Sequence, residues 1–172
     1  MEPISADDRN ALFLTFSREA VHLETRDVYG TEIENEPLRK YLAGEPDDLA
    51  WFQPWLAEVR QNVQAGKSYR RVRLISEPVT DYISFEHSHA HHAVAAGEDI
   101  RWLPRGQASG LVFPGNDFWM FDNAIVAFTL FSGAGQPVDR RVARSVEIIE
   151  QCTAAFEAAW KAAIPHHDYQ IV

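Results

Sequence analysis

The sequence is short of the residues and motifs that most often announce a chemistry. Its single cysteine, Cys152, excludes an intrachain disulfide framework. Helical spacing from Ile148, Ile149 and Phe156 marks that thiol as inert packing. No run of about 18 uncharged apolar residues occurs, so no segment is expected to span a bilayer. The opening MEPISADDRN has neither the basic nor the apolar region of a secretory signal. These absences lead us to expect a cytoplasmic protein. Basic residues are also in deficit: 16 Lys and Arg against 25 Asp and Glu give a net charge of −9. That sign opposes nonspecific nucleic-acid binding and suits solubility. With no recognition helix in view, direct DNA binding is the weakest functional reading. No G-x-S-x-G, P-loop or G-x-G-x-x-G occurs, which removes the common hydrolase, NTPase and dinucleotide-binding readings.

What is present is ordinary globular material, 46% hydrophobic over 172 residues. This suits one domain able to bury roughly two-thirds of its unfolded surface. The organising stretch runs from Lys67 to Phe131 and reads strand, helix, strand, loop, strand, strand. In Tyr69–Ile75, period-2 alternation puts Tyr69, Arg71, Arg73 and Ile75 on one face. Thr80 or Asp81 caps a helix through Tyr82, Ile83 and Phe85 that Gly97 ends, and Asp99–Leu103 is the next strand. That spacing predicts a parallel βαβ unit. Asp122-Asn123 is a hairpin turn between strands at Phe118–Phe121 and Ala124–Phe131.

The fold class expected is therefore α/β, a single domain over 1–172 with a mixed sheet: a helical N-terminal part over about 5–66, the α/β core over about 67–131, and a long C-terminal helix over about 138–163. The spacing predicts a first helix over Ala6–Arg18, opened by Ser5 and Asp8, with His22–Arg26 ending it or forming a short strand. A short helix through Leu38 and Tyr41 stops at Gly44. A stronger apolar stripe, Trp51, Phe52, Trp55, Leu56, Val59 and Val63, packs into the core, with an exposed binding surface of Trp51, Phe52 and Trp55 as the alternative reading. The tail PHHDYQIV reads as irregular.

Three clusters carry chemistry. His87 and His91 are i,i+4 neighbours in the run HSHAHH, a spacing that chelates a divalent metal if Glu86, Asp99 or His22 adds a third ligand. The plainer reading is an exposed polar helix end. Arg70, Arg71 and Arg73, with Arg101, form either a clamp for phosphate or carboxylate or a set of internal ion pairs with Glu77, Asp81 and Glu86. Asp117 and Asp122 flank FWMF; a turn accounts for Asp122, whereas Asp117 opens a strand and is less easily dismissed.

The segments RRVRLISEPVTDYISFE, AAGEDIRWLP and DFWMFD resemble an actinobacterial family, the domain of unknown function 6879. The resemblance covers most of the chain and implies a regulatory setting near helix-turn-helix regulators, with no activity attached. More distantly, the chain is similar to one half of the phospholipase D-like fold, whose motif is His, any residue, Lys, four residues, Asp. Counting back from Asp122, Asp117 stands at the Lys position and Gly115 at the His position. Such chemistry needs the His as nucleophile and the Lys to stabilise phosphoryl oxygens. The likeness thus implies the fold without the reaction, and a homodimer, since such halves often pair.

These readings lead us to expect a non-catalytic regulatory or signalling module with no cofactor, binding a partner protein (a helix-turn-helix regulator among the candidates) or a small ligand. The expected surface gathers Arg71, Arg73, Glu77, Asp81, Tyr82, Asp117 and Trp119 near strand ends, where open α/β sheets place ligands. The competing reading is a metal-assisted hydrolase or phosphodiesterase-like enzyme using Asp117 and the histidines.

Overall fold

The strand Glu19–Glu24 is where the sheet changes from parallel to antiparallel pairing. The computed structural model describes residues 1–172. A two-residue β1 (Glu2–Pro3) leads to α1 (Ala6–Thr15), and Glu19–Glu24 is β2. After a 3₁₀ turn at Glu32–Glu34 come α2 (Asn35–Ala43), α3 (Gln53–Gln64) and β3 (Ser68–Ile75). Next are α4 (Asp81–Ala96), β4 (Glu98–Pro104), β5 (Asp117–Phe121) and β6 (Ile125–Phe131). The chain closes with β7 (Pro137–Ala143), α5 (Val146–Ala162) and β8 (Ile164–Pro165). The eight strands form one mixed sheet in the order β1-β7-β6-β5-β2-β3-β4-β8. No helix is long and apolar enough to cross a membrane.

The βαβ unit of β3, α4 and β4 has the parallel pairing its spacing predicts. Thr80 caps α4 by accepting the Ile83 N–H at 3.2 Å. Gly97 ends it at φ +109°, where a Cβ would meet both Val63 methyls at 3.0 Å, so glycine alone fits the turn. A second parallel pair, β2 with β3, is bridged by α2 and α3. Period-2 alternation then splits the core in two. Phe13, Phe16, Tyr69, Ile83, Phe85, Trp102 and Trp119 pack on the face covered by α1, α3 and α4. Leu23, Val72, Leu103, Phe118, Met120 and Phe156 pack on the face covered by α5. Full burial of each such side chain contributes about 1.5–3 kcal/mol. Cys152 is buried on the α5 face, and burial pushes its thiol up to about 11.

Four boundaries differ from the sequence expectation, each for a tertiary reason. The first helix stops at Thr15 because Asp122 captures the backbone N–H groups of Ser17 and Arg18, both at 2.7 Å, and of Glu19 at 3.0 Å. The stretch around His22 takes the strand alternative and not the helix end, though it starts earlier, at Glu19. It belongs to β2, a central strand, so the sheet core is not confined to 67–131. The C-terminal helix starts at Val146, not near 138, because Pro137–Ala143 pairs with β6 and satisfies an edge that would otherwise stay open. The tail is not wholly irregular either, since Ile164 and Pro165 pair with Trp102 and Arg101.

Candidate functional site

The face of the sheet under α1, α3 and α4 has charged residues in the middle of its central strands. On β2, His22 and Glu24 alternate with buried Val21 and Leu23; on β3, Arg71 and Arg73 alternate with Val72 and Leu74. Register aligns them, with His22 opposite Arg71 and Trp119, and Glu24 opposite Arg73. Farther across, Asp117 pairs with Thr129, and Thr129 with Arg140. A sheet of this pattern presents a polar row where an apolar one would be the default.

The charges form an alternating chain. Glu98 meets Arg71 at 2.6 Å, Arg71 meets Glu24 at 2.7 Å, Glu24 meets Arg73 at 3.0 Å, and Arg73 pairs with Glu86. The Trp55 indole N–H donates to Glu98 at 3.0 Å. Arg71 also lies over the Trp55 and Trp119 rings, 5.6 and 5.4 Å from their centroids. Three carboxylates against two guanidiniums leave the chain one negative charge in excess. Burial raises Glu24 above the usual carboxylate range despite Arg73 and Arg71. For Glu86, burial acts the same way, but Arg73 overrides it and its carboxyl is held low.

Around this chain stand further polar groups. Burial, with Arg71, Arg73 and Arg9 nearby, holds the His22 imidazole well below its ordinary value. Asp117 accepts the Thr25 N–H at 3.0 Å, the Thr25 hydroxyl at 2.5 Å and the Tyr29 hydroxyl. Burial nevertheless raises its pKa. Glu34 accepts the Tyr82 hydroxyl at 2.6 Å; burial, and then the Glu86 charge, push its carboxyl up to about 7.

Together these groups floor a two-lobed cleft. One lobe, about 520 Å³, is walled by Trp51, Phe52, Trp55 and Ile33. The other, about 290 Å³, holds His22, Tyr29, Asp117, Trp119 and Arg140. Phe13, Arg9, Arg71, Arg73 and Glu86 line both. A larger cavity of about 700 Å³ lies on the α5 face beneath residues 110–116. Its lining is mostly apolar, with Arg141, Asn116 and Gln151 as its charged and amide side chains.

Of the residues the sequence nominates, Arg71, Arg73, Tyr82, Asp117 and Trp119 meet in the cleft. Glu77 does not; its carboxylate accepts the Tyr169 hydroxyl at 2.9 Å. Asp81 is exposed in the first turn of α4. The partners of Arg71 and Arg73 are Glu24, Glu86 and Glu98, not Glu77 or Asp81. Arg70 and Arg101 face the other way, onto Trp160 of α5. His87 Nε2 lies 3.3 Å from the Tyr169 carbonyl oxygen, and the ring of exposed His91 is tilted 38° against that of His92 with centroids 3.9 Å apart. Asp99 pairs with Arg101 at 3.8 Å. No three His, Cys, Asp or Glu side chains converge to hold a metal ion. Sequence reasoning missed Arg9, Glu24, Tyr29, Glu34 and Arg140 as cleft residues, whereas the aromatic surface of Trp51, Phe52 and Trp55, its second choice for those rings, does wall the cleft. The alternation His22-Leu23-Glu24 carried a signal, once that segment is known to be a central strand.

The family model for a domain of unknown function, DUF6879, matches residues 7–171. The chain belongs to the DUF6879 family. No curated protein matches this DUF6879 chain in sequence. Among solved structures, NucT from Helicobacter pylori is similar over 92% of this chain and 91% of its own, with a TM-score of 0.51 at 8% identity. At that identity the likeness establishes a shared fold alone.

Proposed function

We propose that this DUF6879 protein is a non-catalytic regulatory module whose two-lobed cleft binds a small organic ligand. One observation carries the reading: the alternating chain Glu98–Arg71–Glu24–Arg73–Glu86 lies on the floor of an open cleft with aromatic walls. Desolvating such a chain costs several kcal/mol per ion, and a well-packed apolar set is often as stable or more so. A costly polar array at the bottom of a pocket fits recognition better than packing.

The non-catalytic part rests on two positions. Gly115, where the phospholipase D-like pattern has its nucleophile, lines the cavity on the opposite face. Asp117, at the lysine position, is held by Thr25 and Tyr29. The test is native mass spectrometry of the untagged protein mixed with a metabolite extract. The expected result is one small molecule per chain, unchanged in mass after incubation, and absent from Ile33→Trp, which adds bulk at the wall of the aromatic lobe. A bare chain in every mixture, or equal occupancy in Ile33→Trp, would overturn ligand binding. A bound molecule whose mass changes with time would replace the module with an enzyme.

A further inference from the structure

Most charges in the cleft already have partners. Glu24 is engaged by Arg71 and Arg73, Glu86 by Arg73, Asp117 by Thr25 and Tyr29, and Glu34 by Tyr82. Three groups do not: two guanidiniums and, in the other lobe, the Glu58 carboxylate, whose Oε1 is buried without a partner. Arg9, from α1, and Arg140, from β7, form no ion pair, and their Nε atoms are buried without a hydrogen-bond partner. Both line the lobe that holds His22, together with the Thr31 and Thr129 side chains. They are near enough that, after burial, the Arg140 charge is the main influence lowering the Arg9 pKa, while Glu58 offsets it in part. Two like charges converging on one cavity, with donors unspent, cost free energy until an anion lies between them.

We infer that Arg9 and Arg140 form an oxyanion clamp, and that the ligand of this cleft carries a phosphate or carboxylate there with its apolar body against Phe13, Trp55 and Phe52. This deepens the ligand-binding reading and rests on it. Phosphate and carboxylate present the same oxygen-acceptor chemistry to a guanidinium fork, so geometry alone admits both. A cationic ligand is disfavoured in this lobe because its carboxylates are committed to donors within the protein. His22 reports the same field, its protonation opposed by burial and by Arg71, Arg73 and Arg9.

The test titrates the full chain with phenyl phosphate, benzoate and benzylamine, which share a ring and differ in the charged group, followed by tryptophan fluorescence and calorimetry. At least one anionic probe is expected to bind. Arg9→Gln and Arg140→Gln should each weaken it tenfold or more, and Arg9→Lys and Arg140→Lys should recover part of the loss. Arg70→Gln, on the opposite face, should leave binding unchanged. Preference for phenyl phosphate identifies a phosphate ligand, and preference for benzoate a carboxylate. The clamp is overturned if benzylamine binds as well as the anions, if no anion binds, or if both glutamine variants, folded by circular dichroism, bind like the parent. Should native mass spectrometry find a ligand sensitive to Ile33→Trp while no anionic probe binds, the clamp falls alone and the ligand-binding reading survives.

Discussion

His22 lies flat on Trp119, with ring centroids 4.1 Å apart and planes 17° from parallel. Its Nδ1 is 3.1 Å from a Glu24 oxygen that Arg71 already engages at 2.7 Å. The imidazole is thus buried beside a carboxylate neutralised by other partners, and burial, with Arg71, Arg73 and Arg9, keeps it neutral. A depressed folded-state value means that its contribution to stability is complete above the unfolded histidine range, near pH 6.5. It is lost as pH falls from there through the folded value. We expect the His22 Cε1 proton to show no titration between pH 7 and about pH 5.5 by NMR, where a free histidine would be largely protonated. A normal titration midpoint would show that the guanidiniums do not govern this ring.

Glu34 gives a slope of the opposite sign. Its folded carboxyl is raised to about 7 by burial and the Glu86 charge, above its unfolded value. The associated stability is therefore complete below the unfolded carboxylate range and declines as pH rises toward 7. Replacing it with Gln keeps an acceptor for the Tyr82 hydroxyl and removes the proton. The melting temperature of Glu34→Gln, relative to the parent, should rise between pH 5 and pH 8. Parallel pH profiles for the two proteins would exclude Glu34 as the source.

Nothing in the sequence placed either residue in the cleft, although His22 stood out as a candidate ligand. The βαβ unit was legible because its signals are local: Thr80 caps, Gly97 stops, and Tyr69–Ile75 alternates. Arg71 and Arg73 could likewise be put on one face by period alone. Their partners could not, because Glu24, Glu86 and Glu98 come from three separate elements that only the sheet order and the α4 crossover bring together. Pro137–Ala143 has its charged residues mid-strand and only two buried residues at its end, so its strand character comes from the open edge of β6. Arg9 and Arg140 lie near opposite ends of the chain. Nothing local in either segment indicates that they share a cavity.

Asp122 has a structural task that its sequence position does not announce. It sits in the β5–β6 turn at φ +55° and accepts three backbone N–H groups from the α1–β2 junction. Burial would raise its carboxyl, but those donors, from Glu19, Ser17 and Arg18, override it and hold the pKa low. Asp122→Ala strands the donors and should cost about 1–3 kcal/mol at pH 7. Asp122→Asn, which tolerates the left-handed backbone and keeps one acceptor, should cost less. Because the folded value is depressed, the advantage of Asp over Asn is complete above the unfolded carboxylate range and lost as pH falls through the folded value. Urea titrations at pH 7 and pH 3 check this; a gap between Asp and Asn no smaller at pH 3 than at pH 7 would contradict the ionic account.

Arg70 and Arg71 are adjacent in sequence and opposite in consequence. Arg71 points into the cleft, with its side chain 12% exposed, between Glu24 and a Glu98 side chain that is fully buried. Arg70 points to α5, between Glu19 and a Glu157 side chain that is half exposed. Methionine keeps much of the apolar stem at either site, so the two substitutions differ mainly in the carboxylates they leave behind. Arg71→Met leaves Glu98 and one side of Glu24 without their cation in a buried site, a loss expected to cost about 3–5 kcal/mol. Arg70→Met releases carboxylates that water can reach, and should cost about 0–1 kcal/mol. Much of the Arg71→Met penalty should disappear when Glu98→Gln is added, because the uncompensated charge is then removed along with its partner. Denaturant unfolding of the four proteins closes this comparison. An Arg71→Met protein as stable as Arg70→Met would mean that water reaches the chain of charges, and the cost of keeping that array dry would then no longer favour recognition over packing.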